Sequence, residues 1–316
     1  DALLAAQDSR DPAWISLASR EQLAAQIANL SPKQPLYGIP FAIKDNIDAY
    51  GFETTAGCPG YSYKPETDAE AVRTLKEAGA ILIGKTNLDQ FATGLVGTRS
   101  PWGAVPNSFD ETVIAGGSSS GSAVVVAHGT VPFALGTDTA GSGRVPAGLN
   151  NIVGLKPTRG AISAQGIVPA CRSLDCVSVF ALTVADAGLV QKQLASDDST
   201  DPFGRFRPGV GANPDCALRT TGPVRRLAIP GNTEWYSDEQ QRDAWERVLS
   251  QWRCLGFELV TRDFTTLYAM ASLLYQGPWI AERHAAIGAF MDAHPEAINP
   301  VVRSLISQAG RFTATD

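Results

Sequence analysis

Two short apolar runs that end in polar residues constrain the fold of this chain more than any other feature. Residues 39–43 lead into Lys44, and the apolar run at residues 131–138 ends in Gly-Thr-Asp. Runs of this length indicate buried strands, and polar side chains that follow such strands gather at the ligand sites of α/β sheets. The pattern therefore predicts an α/β protein whose functional residues lie at strand ends.

Two strand–helix–strand patterns support this α/β interpretation. In the first, residues 67–70 form the capping-box sequence Thr-Asp-Ala-Glu, Gly79 ends the following helix, and residues 80–83 predict a short strand. In the second, apolar residues 227–229 and 257–260 flank a helical pattern. Short strands on both sides of a helix predict parallel neighbours joined by a right-handed crossover.

Three other segments give weaker signals. Residues 8–30 predict a mostly helical N-terminal segment whose apolar positions include Leu17. Residues 196–221 are rich in Gly, Pro, Asp, Ser and Thr, which predicts a long irregular connection. Trp245 and Trp252 repeat at helical spacing, which indicates core packing rather than a cofactor site.

The composition excludes several classes of function. The 316 residues carry a net charge of −6 without a basic block, which argues against nucleic acid as a partner. An anionic substrate would gain nothing from the overall field, so it would need a local positive group. No apolar run approaches the roughly 20 residues that span a bilayer, and the N-terminus has no leader pattern. We therefore expect no membrane partner and no signal peptide.

Cysteine and histidine usage argues against a metal centre. The five cysteines are scattered and form no Cys-x-x-Cys pair, and the chain has only three histidines. We therefore expect reduced thiols in a cytoplasmic protein, with neither a metal nor a cofactor.

A glycine- and serine-rich loop at residues 116–122 leads into a helix of small residues. Such a loop can hold a phosphate with its backbone amides, which would indicate a nucleotide-binding protein. A P-loop, however, ends in Gly-Lys-Ser or Gly-Lys-Thr, and this loop contains no lysine. The alternative is a catalytic role for Ser118, together with Ser142, which follows it by 24 residues.

A serine nucleophile needs a base, and Lys44 is the best candidate in this sequence. His128 lies in an apolar helix, while His284 and His294 lie in a late helical region. A free lysine has a pKa of about 10.4, so it must lose about 3 units by desolvation to act at neutral pH. The alternative for Lys44 is a salt bridge with Asp45.

The segments around Lys44, Ser118 and Ser142 resemble the amidase signature family, whose catalytic device is a Ser–Ser–Lys triad. The resemblance rests on residues 116–122, on residues 136–144 and on the spacing of 24 residues between the two serines. It implies that Ser142 attacks an amide carbonyl, that Ser118 passes its proton and that Lys44 accepts it. It also implies a cis peptide bond before Ser118.

The resemblance covers nearly the whole chain and implies its fold. The expected architecture is α/β, with a large mixed, mostly parallel central sheet flanked by helices on both faces. We expect a single amidase signature domain at residues 1–316, incomplete at its C-terminus because family members usually continue further.

The loop before Ser142 is expected to stabilise the transition state with backbone amides, as an oxyanion hole does. The resemblance assigns these amides to Thr139, Ala140, Gly141 and Ser142. Asp138 and Arg144 are expected to brace the loop through an internal ion pair.

Two further segments narrow the substrate, because they resemble the allophanate hydrolases, a branch of this family. These are residues 166–178 and 274–283. The resemblance nominates Arg283 to bind a substrate carboxylate, Tyr275 as its hydrogen-bonding neighbour, and Gly94 as part of the pocket lining.

The expected reaction is the hydrolysis of allophanate, a small planar monoanion, with release of ammonia. The expected partners are this small anionic amide, a urea carboxylase through functional coupling, and a second copy of the chain in a homodimer. No segment corresponds to the separate domain that decarboxylates the product in many family members. A kink is expected at Pro278, between Tyr275 and Arg283.

Other functions stay open at this point. One is an amidase of different specificity, including the subunit that supplies ammonia to a tRNA-bound glutamyl group. Another is a scaffold without catalysis, in which Tyr275 and Arg283 would be surface or interface residues. Ammonia release from different amides would separate the amidase specificities, and acylation of Ser142 would exclude the scaffold.

Overall fold

Eight strands and nine α-helices form within the described residues of the computed structural model, which are 11–195, 200–204, 226–313 and 315–316. The strands are β1 (Trp14–Leu17), β2 (Pro40–Lys44), β3 (Ile81–Thr86), β4 (Phe133–Asp138), β5 (Val153–Leu155), β6 (Cys176–Ala181), β7 (Arg226–Pro230) and β8 (Glu258–Arg262). The helices are α1 (Arg20–Ala28), α2 (Glu70–Glu77), α3 (Ser120–Ala127), α4 (Val145–Leu149), α5 (Val184–Leu194), α6 (Glu239–Cys254), α7 (Thr265–Gln276), α8 (Trp279–Ala293) and α9 (Pro300–Ile306).

These residues form two compact units. The first unit contains the described residues up to 204 and those from 278 onward, and the second contains residues 226–277. The single domain expected over residues 1–316 stays a prediction. Of the irregular connection expected at 196–221, only residues 200–204 are described, and the rest lies outside the described residues.

The first unit contains a six-stranded sheet in the order β1-β3-β2-β4-β6-β5. The predicted mixed sheet is confirmed, but its parallel pairs occupy only the centre, where β2 lies between β3 and β4. Within the described residues, the other three pairings of this sheet are antiparallel, so "mostly parallel" was wrong. One reason is that residues 156–175, which join β5 to β6, contain no helix to carry a parallel crossover.

Successive residues of the central strands face opposite sides of the sheet, as the two-residue period of a strand requires. Phe41 and Ile43 of β2 belong to a buried cluster that also contains side chains of α2 and α5. Ala42, between them, belongs to a second cluster that contains side chains of α3. Helices therefore cover both faces of the sheet, as predicted.

The structure corrects two local predictions. Leu17, expected in a helix, ends strand β1, which pairs with β3 at the edge of the sheet, and α1 begins only after its N-cap Ser19. Helix α2 forms as predicted, but its N-cap is Ala69, without a side-chain hydrogen bond. The capping box does not form, because the Glu70 amide donates to the carbonyl of Gln165 at 3.3 Å and the Glu70 carboxylate pairs with Arg73.

The second unit confirms the predicted strand–helix–strand pattern. Strands β7 and β8 pair in parallel, and α6 begins after Asp238, whose side chain accepts the amide of Gln241. Trp245 and Trp252 are half-buried and pack edge to face, with ring centres 6.0 Å apart. The aromatic stripe is therefore a packing feature of α6.

Three predicted absences can be compared with the described part of the chain. No helix there is both long and apolar enough to cross a bilayer. No group of His, Cys, Asp and Glu side chains in those residues could hold a metal ion. Four cysteines are free thiols, and Cys216 lies outside the described residues.

Strand β3 carries a buried lysine, Lys85, which lies beside a buried carboxylate. Its amine lies 3.0 Å from the carboxylate of Asp45, and both side chains are fully buried. Lys85 also donates to the hydroxyl of Thr54 at 2.6 Å, while the amide of Thr55 donates to Asp45 at 2.9 Å. A buried charge is tolerated with its counter-ion and hydrogen bonds, but becomes costly when the partner is removed.

We therefore expect Lys85→Ala to lower the free energy of unfolding by about 3–5 kcal/mol, because it leaves the Asp45 carboxylate buried and unpaired. Urea unfolding followed by tryptophan fluorescence would measure this loss. The double variant Lys85→Met with Asp45→Asn should recover part of it. Arg73→Ala, which removes a surface ion pair with Glu70, should cost less than about 1 kcal/mol. Equal losses for Lys85→Ala and Arg73→Ala would contradict the prediction.

Candidate active site

The candidate site begins where two neighbouring parallel strands end. Lys44 is the last residue of β2, and Thr137 and Asp138 are the last residues of β4. The register pairs Ile43 with Leu135, so the ends of both strands lie side by side at one edge of the sheet. Polar side chains at this edge are brought together by the fold, as the sequence pattern predicts.

The amine of Lys44 is fully buried and is held by hydroxyl groups. Its Nζ donates to Ser118 Oγ and to Thr137 Oγ1, both at 2.8 Å. In the described part of the chain no carboxylate lies within ion-pair distance of this amine, and Asp45 pairs with Lys85 instead. The alternative of a Lys44–Asp45 salt bridge is therefore wrong.

Burial lowers the pKa of Lys44 from its ordinary value to about 7. The negative charges of Asp89, Asp175 and Asp138 oppose this shift, while the positive charge of Arg283 adds to it. An amine with this pKa is substantially neutral near pH 7 and can accept a proton there. The desolvation that the sequence argument requires is present in the fold.

Ser118 is placed by the glycine-rich loop and by Asp89. The peptide bond between Gly117 and Ser118 is cis, as the family resemblance implies, and the carbonyl of Ser118 accepts the amide of Asp89 at 3.1 Å. A Cβ on Gly117 would lie 2.2 Å from the Asp89 carboxylate, so only glycine fits there. The same carboxylate accepts the backbone amides of Val96, Gly97 and Arg99.

The loop that carries Ser142 is wrapped around the carboxylate of Asp138. This carboxylate accepts the amides of Gly141 and Gly143 at 2.8 and 3.1 Å, and the predicted ion pair with Arg144 is present at 2.9 Å. Burial alone would raise the pKa of Asp138, but these hydrogen bonds hold it below its ordinary value. Ser142 is 4% exposed at the turn of this loop.

The amides expected in the oxyanion hole divide into two groups. The amide of Gly141 donates to Asp138, so Gly141 supports the loop in this structure rather than offering an oxyanion donor. The amides of Thr139, Ala140 and Ser142 have no acceptor among the described residues. These three N–H groups can donate hydrogen bonds to a developing negative charge, and the assignment of Gly141 as a fourth donor is corrected.

Asp175 fixes the start of the same loop from a second direction. Its carboxylate accepts the hydroxyl of Thr139 and the amides of Ala170 and Cys171, the latter two at 2.9 and 3.1 Å. Burial raises the pKa of Asp175, and its hydrogen bonds and the charge of Arg283 oppose that shift. Asp175 therefore links the Ser142 loop to residues 170–175.

Arg283 lies in the first unit, on α8, and is buried. Its Nη1 donates to Thr93 Oγ1 at 3.0 Å, and its charge acts on both Lys44 and Asp175. Gly94, the next residue after Thr93, has a φ of +154°, and a Cβ there would lie 2.7 Å from the Asp89 carboxylate. Arg283 thus contacts Thr93, and Gly94 lies against Asp89, whose charge acts on Lys44.

Tyr275 belongs to the second unit, on α7, and its part in the site stays a prediction. The expected break at Pro278 is confirmed, because α7 ends at Gln276 and α8 begins at Trp279.

Sequence reasoning missed two residues that organise the site. Thr137 binds the amine of Lys44, and its place at the end of an apolar strand is the signal that could have identified it. Asp89 lies in a loop after β3, and no local pattern marks it, because its amide partners follow in an irregular segment.

Comparison with known proteins identifies one family and several relatives. A sequence model of the family described as Amidase matches residues 14–309. Urea amidolyase of Saccharomyces cerevisiae is 48% identical over 314 residues, which cover 97% of this chain and 17% of that protein. A glutamyl-tRNA(Gln) amidotransferase subunit of Mycoplasma pneumoniae is 45% identical over 245 residues, covering 77% of this chain and 51% of that protein.

A solved structure is similar over the full chain. Allophanate hydrolase of Kluyveromyces lactis superposes with a TM-score of 0.92 at 45% identity, covering 100% of this chain and 52% of that one. The chain therefore spans about half of this structure and a much smaller share of the urea amidolyase.

The lowered pKa of Lys44 leads to a prediction about pH. Acylation of Ser142 by a fluorophosphonate should speed up as the pH rises through about 7, because the neutral amine is the form that accepts a proton. The measurement is the labelling rate between about pH 5.5 and pH 9, quantified by mass spectrometry. Lys44→Met should slow labelling and remove this pH dependence. A wild-type midpoint near the ordinary lysine value would contradict the prediction.

Proposed function

The chain belongs to the amidase family, and on that premise we propose that it hydrolyses allophanate through an acyl-enzyme formed on Ser142. The observation that carries this proposal is the buried amine of Lys44, which lies 2.8 Å from the Ser118 hydroxyl and whose pKa is lowered by desolvation. A lysine in this setting is a base rather than a counter-ion.

In the proposed first step, the neutral amine of Lys44 takes the proton of Ser118 while Ser118 takes the proton of Ser142. The oxygen of Ser142 then attacks the amide carbonyl carbon of the substrate. A neutral amine that donates one N–H to Thr137 keeps its lone pair, so the short contact to Ser118 serves proton transfer toward the lysine. In this neutral state the Ser118 hydroxyl donates to the Lys44 amine, whereas a protonated amine donates to Ser118.

The tetrahedral intermediate places a negative charge on the former carbonyl oxygen. In the proposed arrangement this oxygen accepts from the amides of Thr139, Ala140 and Ser142, which have no acceptor among the described residues. The proton held by the triad returns to the leaving nitrogen, and ammonia departs. Water then attacks the acyl-enzyme, restoring Ser142 and leaving N-carboxycarbamate.

Selection of an anionic amide is assigned to Arg283. The chain carries a net charge of −6, so binding of a monoanion depends on a local cation. Arg283 is a buried guanidinium whose charge acts on Lys44, and a guanidinium can bind a carboxylate through two parallel hydrogen bonds. In this proposal Gly94 lines the substrate pocket, and the part of Tyr275 stays a prediction.

The relatives support this choice of substrate. The urea amidolyase and the allophanate hydrolase match over nearly the full chain, at 48% and 45% identity. Allophanate is urea that carries an additional carboxylate, so the reaction that supplies it is a carboxylation of urea. We therefore propose functional coupling to a urea carboxylase, while a homodimer and a cytoplasmic location stay predictions.

A second candidate substrate is glutamine, favoured by the similarity to the amidotransferase subunit, which covers 77% of this chain. Ammonia release from allophanate, glutamine and acetamide under the same conditions would separate the candidates. A preference for glutamine over allophanate would replace the proposed substrate and leave the catalytic residues in place.

Removal of either end of the proposed triad should stop catalysis. Ser142→Ala and Lys44→Ala should each reduce kcat for allophanate by about a thousandfold or more, because the three residues act as one unit. Steady-state ammonia release gives kcat, and circular dichroism verifies the fold. The exposed residues Ser304 and Lys33 supply controls, since Ser304→Ala and Lys33→Ala should keep wild-type rates. Full activity in either triad variant would refute these roles.

Arg283→Lys should weaken the substrate complex while it keeps the positive charge. Lysine cannot form the paired hydrogen bonds of a guanidinium, and each charge-assisted hydrogen bond contributes about 1.5–3 kcal/mol. The KM for allophanate should therefore rise by about tenfold to a hundredfold. Arg303→Lys, at an exposed position, should leave KM unchanged. An unaltered KM in Arg283→Lys would show that the carboxylate binds elsewhere.

A further inference from the structure

We propose that Glu282 is a positioning residue that holds Arg283 in register with the loop of Ser142, through a bridge formed by residues 170–175. The inference rests on the proposed function in one respect, since it takes Arg283 as the group that binds the substrate carboxylate. Glu282 itself lies outside the triad and outside the groups assigned to substrate binding.

Glu282 connects segment 170–175 to α8 through hydrogen bonds. The Glu282 carboxylate accepts the amide of Ser173 at 2.8 Å, the hydroxyl of Ser173, and the thiol of Cys171 at 3.3 Å. Burial alone would raise the pKa of Glu282, but the hydrogen bonds from Ser173 hold it below its ordinary value. The carboxylate therefore stays ionised and accepts three donors from two residues of the bridge.

The other end of the bridge is fastened to the Ser142 loop by Asp175. Asp175 accepts the hydroxyl of Thr139, whose amide is one of the proposed oxyanion donors. It also accepts the amides of Ala170 and Cys171, so the two ends of segment 170–175 are hydrogen-bonded to each other. Cys171 is common to both ends, because its amide donates to Asp175 and its thiol to Glu282.

Cys171 has the properties of a structural link. Burial and the neighbouring carboxylate of Glu282 raise the pKa of its thiol to about 12, so the sulfur keeps its proton. A protonated thiol can donate to Glu282, whereas a thiolate beside that carboxylate would be repelled. The Cys171 thiol thus stays protonated as a donor, and the Glu282 carboxylate stays ionised as its acceptor.

Adjacent positions on one helix connect this bridge to substrate binding. Glu282 and Arg283 follow each other on α8, so a contact that fixes one limits the rotation and translation of the other. Arg283 is held on its own side by Thr93, and Glu282 supplies the second constraint. A displacement of about 1 Å in a binding group can reduce catalysis a hundredfold, so loss of this constraint matters.

Three variants test the inference. Glu282→Ala removes the hydrogen bonds of the carboxylate to Ser173 and Cys171, and Glu282→Gln keeps an acceptor and adds a donor for Ser173. The control, Asp292→Asn, removes an exposed carboxylate of the same helix. The probe is malonamate, a small amide that bears a carboxylate. Two quantities are measured, the fluorophosphonate labelling rate of Ser142 and the malonamate concentration that halves it.

We expect Glu282→Ala to raise the protecting concentration of malonamate by about tenfold or more, with a much smaller change in the labelling rate itself. Glu282→Gln should restore most of the protection, and Asp292→Asn should match the wild type. For allophanate, Glu282→Ala should raise KM more than it lowers kcat.

Two outcomes would overturn the inference. One is unchanged protection in Glu282→Ala, and the other is a parallel loss of labelling and protection that follows the unfolded fraction measured by circular dichroism. Turnover of allophanate by the wild type is a separate readout: if it is absent while malonamate still protects Ser142, the proposed substrate fails and the positioning role of Glu282 is still tested.

Discussion

The removal of the Lys44 amine from water is the constraint on which the site depends. A lysine exposed to solvent is protonated at neutral pH and cannot act as a base. Here the side chain ends a central strand beneath the covering helices, with two hydroxyl groups and no carboxylate within ion-pair distance among the described residues. The sheet therefore determines the chemistry, because it fixes how deep the amine lies.

Lys85 shows what the same core does with a lysine that has a carboxylate beside it. Both amines are fully buried, and burial lowers the pKa of both. Lys85, however, has the Asp45 carboxylate at 3.0 Å, whereas the Lys44 amine, within the described residues, is hydrogen-bonded to the hydroxyls of Ser118 and Thr137 alone. Buried lysines in one sheet can thus serve stability or proton transfer, and the nearest acceptor decides which.

The strand ends and the triad segments could be predicted from the sequence, because local patterns carry them: an apolar run before Lys44 and a glycine-rich loop before Ser118. The capping box could not be judged in this way, since the Glu70 amide and carboxylate have competing partners in Gln165 and Arg73. The role of Asp89 could not be predicted for a related reason, because it depends on loop amides that the fold brings to its carboxylate. Predictions failed where a side chain had several acceptable partners and tertiary contacts made the choice.

The charges around Lys44 connect substrate binding with base strength. Three carboxylates, those of Asp89, Asp138 and Asp175, hold loops of the site, and each favours the protonated lysine. Arg283 works against them and helps to keep the amine neutral in the free protein. If the substrate carboxylate pairs with Arg283 as proposed, it offsets that positive charge, and Lys44 becomes a stronger base once substrate is bound. An anionic amide would then strengthen the base that its own hydrolysis requires, whereas a neutral amide would not.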